Sequence, residues 1–175
     1  MKVLIIVDMQ KDFIDGALGT KEAAAIVANV VSRVENSKDE LILFTQDTHG
    51  EDYLSTPEGK KLPVVHCVEG TDGWKINESI LNAWQGNKNT ENIFKKSVFG
   101  SIELVEFLKK RANEISEIEI LGLCTDICVV SNAIMIKNAL PEIEINVNEK
   151  CCAGVTPQSH REALNVMKMC QINII

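Results

Sequence analysis

The run from Ile118 to Gly122 constrains this chain more than any other stretch. It is apolar and β-prone, as expected of a strand buried inside a parallel sheet. Gly122 ends the run. Thr125 or Asp126 can then cap a helix whose apolar face is Val129, Ala133 and Ile136. Cys128 falls about one turn inside that helix, near the positive end of its dipole, which favours the thiolate. The same cysteine follows the carboxyl end of a strand, where open α/β sheets hold their ligands. A free cysteine is also at home as a small buried hydrophobe, so the rest of the chain has to decide between the two readings.

Around this unit the chain alternates strand and helix. Met1 to Val7 is β-branched and continuous and reads as a central parallel strand ending at Asp8. Met9 to Thr20 reads as a loop. Lys21 to Glu35 carries apolar residues at positions 23, 26, 27, 30, 31 and 34, the stripe of a helix. Glu40 to Phe44 forms a second strand, followed by Thr45, Gln46 and Asp47. Thr48 to Trp74 is a long loop, and such length inside a compact domain usually serves function. Ile76 to Trp84 is a short helix and Asn92 to Lys95 a third strand. Ser101 can cap a helix from Ile102 to Ala112. Glu117 to Leu121 is the fourth strand and Asp126 to Ala139 its helix. Glu142 to Val147 alternates charge with Ile or Val, as a strand nearer a sheet edge does. Pro157 opens a helix that runs to about Met169, and Gln171 to Ile175 is a terminal strand. The pattern predicts a single-domain α/β fold over residues 1–175: a mostly parallel six-stranded sheet with helices on both faces.

Charge and cysteine usage narrow the partners. A net charge of −7 argues against nucleic acid or an anionic membrane as a partner. The apolar run Val3 to Val7 is too short for a signal segment, and no stretch approaches the ~20 apolar residues of a membrane span. Six cysteines with no C-x-x-C pair, in a chain large enough to fold without staples, predict reduced thiols and a cytoplasmic location.

Strand ends gather the chemistry. Asp8, Asp47, Lys96 and Cys128 all come just after predicted strands and so share one edge of the sheet. An acid, a cation and a thiol there suffice for nucleophilic catalysis. The Asp8 carboxylate can take the thiol proton and later give it to a leaving amine, while the Lys96 ammonium stabilises both anions. Taken alone, Asp8 could be a helix cap and Lys96 a solvated neighbour of Lys95. Asp47 and His49 lie two apart on an extended segment, and His66 arrives after a loop containing proline. Two imidazoles and a carboxylate suit Zn, Fe, Mn or Co and leave positions for water and substrate. His160, on the last helix, is expected to be a structural hydrogen-bonding residue.

Four ordered motifs carry a resemblance that runs over nearly the whole chain. They are LIIVDMQKDF from Leu4 to Phe13; TQDTH from Thr45 to His49 with PVVHCVEGTDG from Pro63 to Gly73; KSVFGS from Lys96 to Ser101; and GLCTDICV from Gly122 to Val129. The sequence resembles the isochorismatase-like cysteine hydrolases and, within them, the nicotinamidases. The resemblance implies Cys128 as nucleophile, Asp8 as general acid/base and Lys96 as electrostatic partner. It implies Asp47, His49 and His66 as ligands of a divalent transition metal, zinc first, with iron or manganese as alternatives. Glu58 fits best as fourth ligand, with Glu51 the weaker choice. Phe13 would stack on a pyridine ring. A cis peptide at Leu123–Cys124 would aim the N–H groups of Cys124 and Cys128 into an oxyanion hole. Some relatives carry an aromatic residue shortly before the metal-binding histidine, where this chain has Leu62, Pro63, Val64 and Val65. The implied activity is hydrolysis of nicotinamide to nicotinate and ammonia through a Cys thioester. The alternative is another hydrolase of the same fold, acting on a different small amide or an isochorismate-type substrate. The implied partner is a small molecule, and a homo-oligomer is left open.

Overall fold

A computed structural model describes residues 1–38, 40–84 and 90–175. Six strands form one sheet: β1 (Lys2–Val7), β2 (Leu41–Asp47), β3 (Ile93–Lys96), β4 (Glu117–Leu123), β5 (Glu144–Ala153) and β6 (Asn173–Ile174). Every neighbouring pair is parallel, and the order is β3-β2-β1-β4-β5-β6. The chain winds outward from β1 to one edge, then returns to the far side of β1 and winds to the other. Right-handed crossovers on the two halves therefore lay their helices on opposite faces. Being covered on both sides, β1 is apolar beyond Lys2, and Leu4 to Val7 are wholly buried.

Seven α-helices accompany the strands: α1 (Lys11–Ile14), α2 (Lys21–Glu35), α3 (Pro57–Lys61), α4 (Glu78–Ala83), α5 (Ile102–Lys110), α6 (Val130–Ala139) and α7 (Pro157–Met169). The apolar stripe of α2 buries Ala23, Ile26, Val30 and Val34 and packs on α4 and β5. Each large aliphatic side chain so placed contributes about 1.5–3 kcal/mol. Thr20 caps α2 and Ser101 caps α5, each accepting from the backbone N–H three residues on. Pro157 opens α7 behind a Thr156–Ser159 capping box.

Several expectations need correction, and the first is that Met9 to Thr20, read as a loop, contains α1. β5 runs on to Ala153 instead of stopping at Val147, because Cys151, Cys152 and Ala153 turn back into the core beside the end of β4. The exposed pair Glu149 and Lys150 concealed that continuation. The long loop after β2 contains a 3₁₀ turn, Tyr53–Ser55, and then α3, capped by Thr56. Neither Thr125 nor Asp126 caps α6. That helix begins only at Val130, after a π-type turn over Thr125–Val129 with no side-chain cap.

One glycine is required by the geometry. Gly122 pairs with Val7 and has φ +121°, and a Cβ there would run into the Val7 carbonyl. Its bare backbone lets β1 and β4 close on one another just below Asp8 and the cysteine turn.

Candidate active site

The strand order reverses between β1 and β4, and the crevice beyond their carboxyl ends is where an open α/β sheet binds ligands. Asp8 follows β1 there with φ 46°, a left-handed backbone that few non-glycine residues adopt. The peptide between Leu123 and Cys124 at the end of β4 is cis, as the resemblance implied. The following π turn is closed by Val129 N–H donating to the Cys124 carbonyl at 3.0 Å and carries Cys128. Such turns recur at functional sites because they displace side chains from the regular helical spiral.

Lys96, at the end of β3, joins the two. Its Nζ lies 2.6 Å from Asp8 Oδ2, 3.5 Å from Cys128 Sγ and 3.3 Å from Asp47 Oδ1. The contact with Asp8 is a close ion pair and not a well-directed hydrogen bond, since Oδ2 has no hydrogen-bond partner among the described atoms. Asp8, Lys96 and Cys128 are all buried. Neighbouring Lys95 is half exposed, pairs with Glu69 and lies over the Trp74 ring.

Burial sets the resting proton positions. It pushes the Asp8 carboxyl above its ordinary range, against the opposing charge of Lys96. Burial, and then the charge of Asp8, hold the Cys128 thiol well above its usual value, with Lys96 working against them. For Lys96, burial favours the neutral amine, but the surrounding Asp8, Cys128 and Asp47 outweigh it and keep the ammonium charged. The expectation that the helix end favours a resting thiolate is therefore corrected: desolvation dominates the dipole, and the proton rests on sulfur until a base takes it. Cys124 is likewise pushed up to about 12, chiefly by burial.

A second cluster adjoins the first. Asp47 Oδ2 lies 2.9 Å from His49 Nε2 and 3.6 Å from His66 Nε2. Potential ligand atoms of these three residues lie within 4.8 Å of one another. His66 Nδ1 is 2.8 Å from the Val64 carbonyl, which fixes its proton on that side and leaves Nε2 as a lone-pair donor. His49 Nε2 is buried without a hydrogen-bond partner among the described atoms, despite its closeness to Asp47. Burial pushes Asp47 up, but His49 and Lys96 outweigh it and hold the carboxyl below its usual range. Two inward imidazole nitrogens, one of them orphaned, beside an ionised carboxylate fit a first-row divalent metal. Glu58 on α3 stands at the rim, its Oε1 3.9 Å from His49 Nε2. Glu51 is exposed and lines a hollow shared with His49, Val68 and Glu69.

Both clusters open into one pocket of about 200 Å³, whose lining includes Cys124, Cys128, Asp47, His66, Glu58 and Phe13. The Phe13 ring sits 5.5 Å from that of His66. Leu62, Phe99 and Ile127 add apolar wall, so the pocket suits a small flat ring with a polar substituent.

Several supporting residues escaped the reading of sequence alone. Gln10 grips the backbone of Asp47, accepting from its N–H at 2.7 Å and donating to its carbonyl at 2.8 Å. Asp12 accepts from Cys67 N–H at 2.8 Å and steadies the turn after His66. Both stand in the first motif beside Asp8, which was the available signal. Asn132 donates to the carbonyls of Cys128 and Phe99 and accepts from Ser101 N–H, tying the loop after Lys96 to the cysteine turn. His160 is the expected hydrogen-bonding residue, with Nδ1 2.8 Å from Thr125 Oγ1. Asp126 accepts from Val155 N–H. These bonds occupy the two side chains that sequence offered as caps.

Comparison with known proteins agrees with this geometry. The nicotinamidase/pyrazinamidase of Mycobacterium tuberculosis is 25% identical over 193 aligned positions, covering 100% of this chain and 98% of that one. The crystal structure of a pyrazinamidase/nicotinamidase from Streptococcus mutans superposes with TM-score 0.85 at 28% identity, over 100% of both chains. A Pyrococcus horikoshii pyrazinamidase in complex with zinc superposes with TM-score 0.80 at 28% identity, over 99% of this chain and 98% of that one. The Isochorismatase domain pattern matches residues 2–175, and the chain belongs to the isochorismatase domain family.

Proposed function

We propose that this protein is a metal-dependent cysteine amidohydrolase that converts nicotinamide to nicotinate and ammonia. The observation that carries the reading is one small pocket lined by Cys128 together with Asp47 and His66, where Cys128 and Asp47 both meet Lys96, the partner of Asp8, and Asp47 and His66 form a donor set with His49. The likeness to nicotinamidases supports the choice of substrate. It favours nicotinamide over an isochorismate-type substrate.

Asp8 takes the thiol proton of Cys128, and the sulfur attacks the carboxamide carbon. The N–H groups of Cys124 and Cys128 receive the developing oxyanion. Asp8 returns the proton to the amine nitrogen, ammonia leaves, and a thioester remains on Cys128. A water then gives a proton to Asp8 and attacks the thioester carbon. Nicotinate departs and sulfur recovers its proton from Asp8. Lys96 stays charged throughout, stabilising whichever of Asp8 and Cys128 is the anion. Phe13 offers its face to the ring. Asp47, His49, His66 and Glu58 would hold the metal, zinc first, which when bound supplies a Lewis-acidic contact for the ring nitrogen.

The test is ammonia release from nicotinamide by the purified, zinc-loaded protein. Turnover is expected, and its absence alongside hydrolysis of an isochorismate-type vinyl ether would reassign the substrate. Glu58→Ala is expected to weaken zinc affinity at least about 10-fold in a competition titration. Unchanged affinity there, with loss in Glu51→Ala, would transfer the fourth ligand to Glu51. We further propose one functional domain over residues 1–175, working in the cytoplasm on a small molecule. No helix among the described residues is long and apolar enough to cross a membrane.

A further inference from the structure

Thr45 meets Asp8 from the neighbouring strand. β1 and β2 pair with Val7 opposite Thr45, so the Thr45 side chain stands beside the residue that follows β1. Its hydroxyl donates to Asp8 Oδ1 at 2.6 Å, and Asp8 N–H donates back to Oγ1 at 3.2 Å. Thr45 and Asp8 are both fully buried, so no solvent competes for either bond. The other oxygen, Oδ2, has no hydrogen-bond partner among the described residues and faces the Lys96 ammonium.

The two carboxylate oxygens are thus unequal. Oδ1 is occupied by a short hydroxyl bond, while Oδ2 keeps its lone pairs for a travelling proton. We infer that Thr45 is a positioning residue for the hydrolysis: it fixes the Asp8 carboxylate so that Oδ2 is the atom that takes the proton from the Cys128 thiol and returns it to the leaving group. This rests on the roles given to Asp8 and Cys128 under the proposed function. The reciprocal bond from Asp8 N–H to the same hydroxyl holds Thr45 against the residue whose carboxylate it orients. Without the hydroxyl the carboxylate is free to rotate or to turn fully toward Lys96, and a hydrogen bond to a charged group is lost.

Thr45→Val removes the hydroxyl and keeps the β-branched shape, and Thr45→Ser keeps the hydroxyl. The Val variant is expected to lose about 10- to 100-fold in kcat for nicotinamide with KM changed less than about threefold, and the Ser variant to recover most of the loss. The second readout is the rate at which iodoacetamide alkylates Cys128, counted by mass spectrometry. It needs no substrate and reports transfer of the thiol proton directly. That rate is expected to fall in Thr45→Val and return in Thr45→Ser, even if nicotinamide proves not to be the substrate. Unchanged alkylation in a folded Val variant would overturn the assignment, as would a Ser variant as slow as Val. Should Val fail to fold, a Ser variant with both rates near the parent's supports the inference and one with both rates depressed opposes it.

Discussion

Cys128→Ala is expected to lose roughly 10⁴-fold or more in kcat for nicotinamide, since it deletes the atom that forms the covalent intermediate. The fold should survive. The substitution removes one sulfur from the packing, at a cost on the order of 1 kcal/mol, or about 2–4 °C in Tm for a chain of this size. It also leaves no charge orphaned, because Lys96 keeps Asp8 at 2.6 Å and Asp47 at 3.3 Å. The paired control is Cys124→Ala. Cys124 lines the same pocket but lends only its backbone N–H, which alanine retains, so substantial activity should remain. Intact protein with more than a few per cent of parental activity after Cys128→Ala would place the nucleophile elsewhere, with Cys124 the first suspect.

His49→Ala, or treatment with a chelator, is expected to lower kcat/KM for nicotinamide by about 100-fold or more. His49 Nε2 is a buried nitrogen with no hydrogen-bond partner among the described residues, as a nitrogen awaiting a metal would be. On the proposed mechanism the cysteine turn already provides nucleophile and oxyanion donors, and a Lewis acid at the carbonyl would duplicate them. On the proposed function the donor set would serve the ring nitrogen and orient the amide. Benzamide has the same carboxamide and no ring nitrogen. It should be a poor substrate of the native enzyme and lose far less when the metal is removed. Equal fold losses for the two amides, in metal-free protein shown to be folded by circular dichroism, would assign the metal to the chemical step or to structural support.

The sequence by itself determined the alternation of elements and hence which residues share an edge. Asp8, Lys96 and Cys128 were legible because each closes or follows a strand, and parallel strands end on the same side. Asp47 and His49 were legible in the same way, at and just past the end of β2, whereas His66 was singled out by its motif alone. The conformation of that loop was not legible. Glu51 and Glu58 are both carboxylates within reach of the trio on paper; the 3₁₀ turn at Tyr53–Ser55 and the Thr56 cap bring Glu58 Oε1 to 3.9 Å from His49 Nε2, while Glu51 is exposed. Nor could sequence show that Thr125 and Asp126 serve α7 and the segment before it, since their partners His160 and Val155 lie about 30 residues away. Thr45 is the sharpest case. It sits 37 residues from Asp8, and only the register of β1 against β2 lays its hydroxyl on the carboxylate. The resting state of the thiol was likewise decided in three dimensions. Local sequence supplies a helix end that favours the thiolate, but the fold buries Cys128 beside Asp8, and desolvation together with that neighbouring charge holds the thiol up.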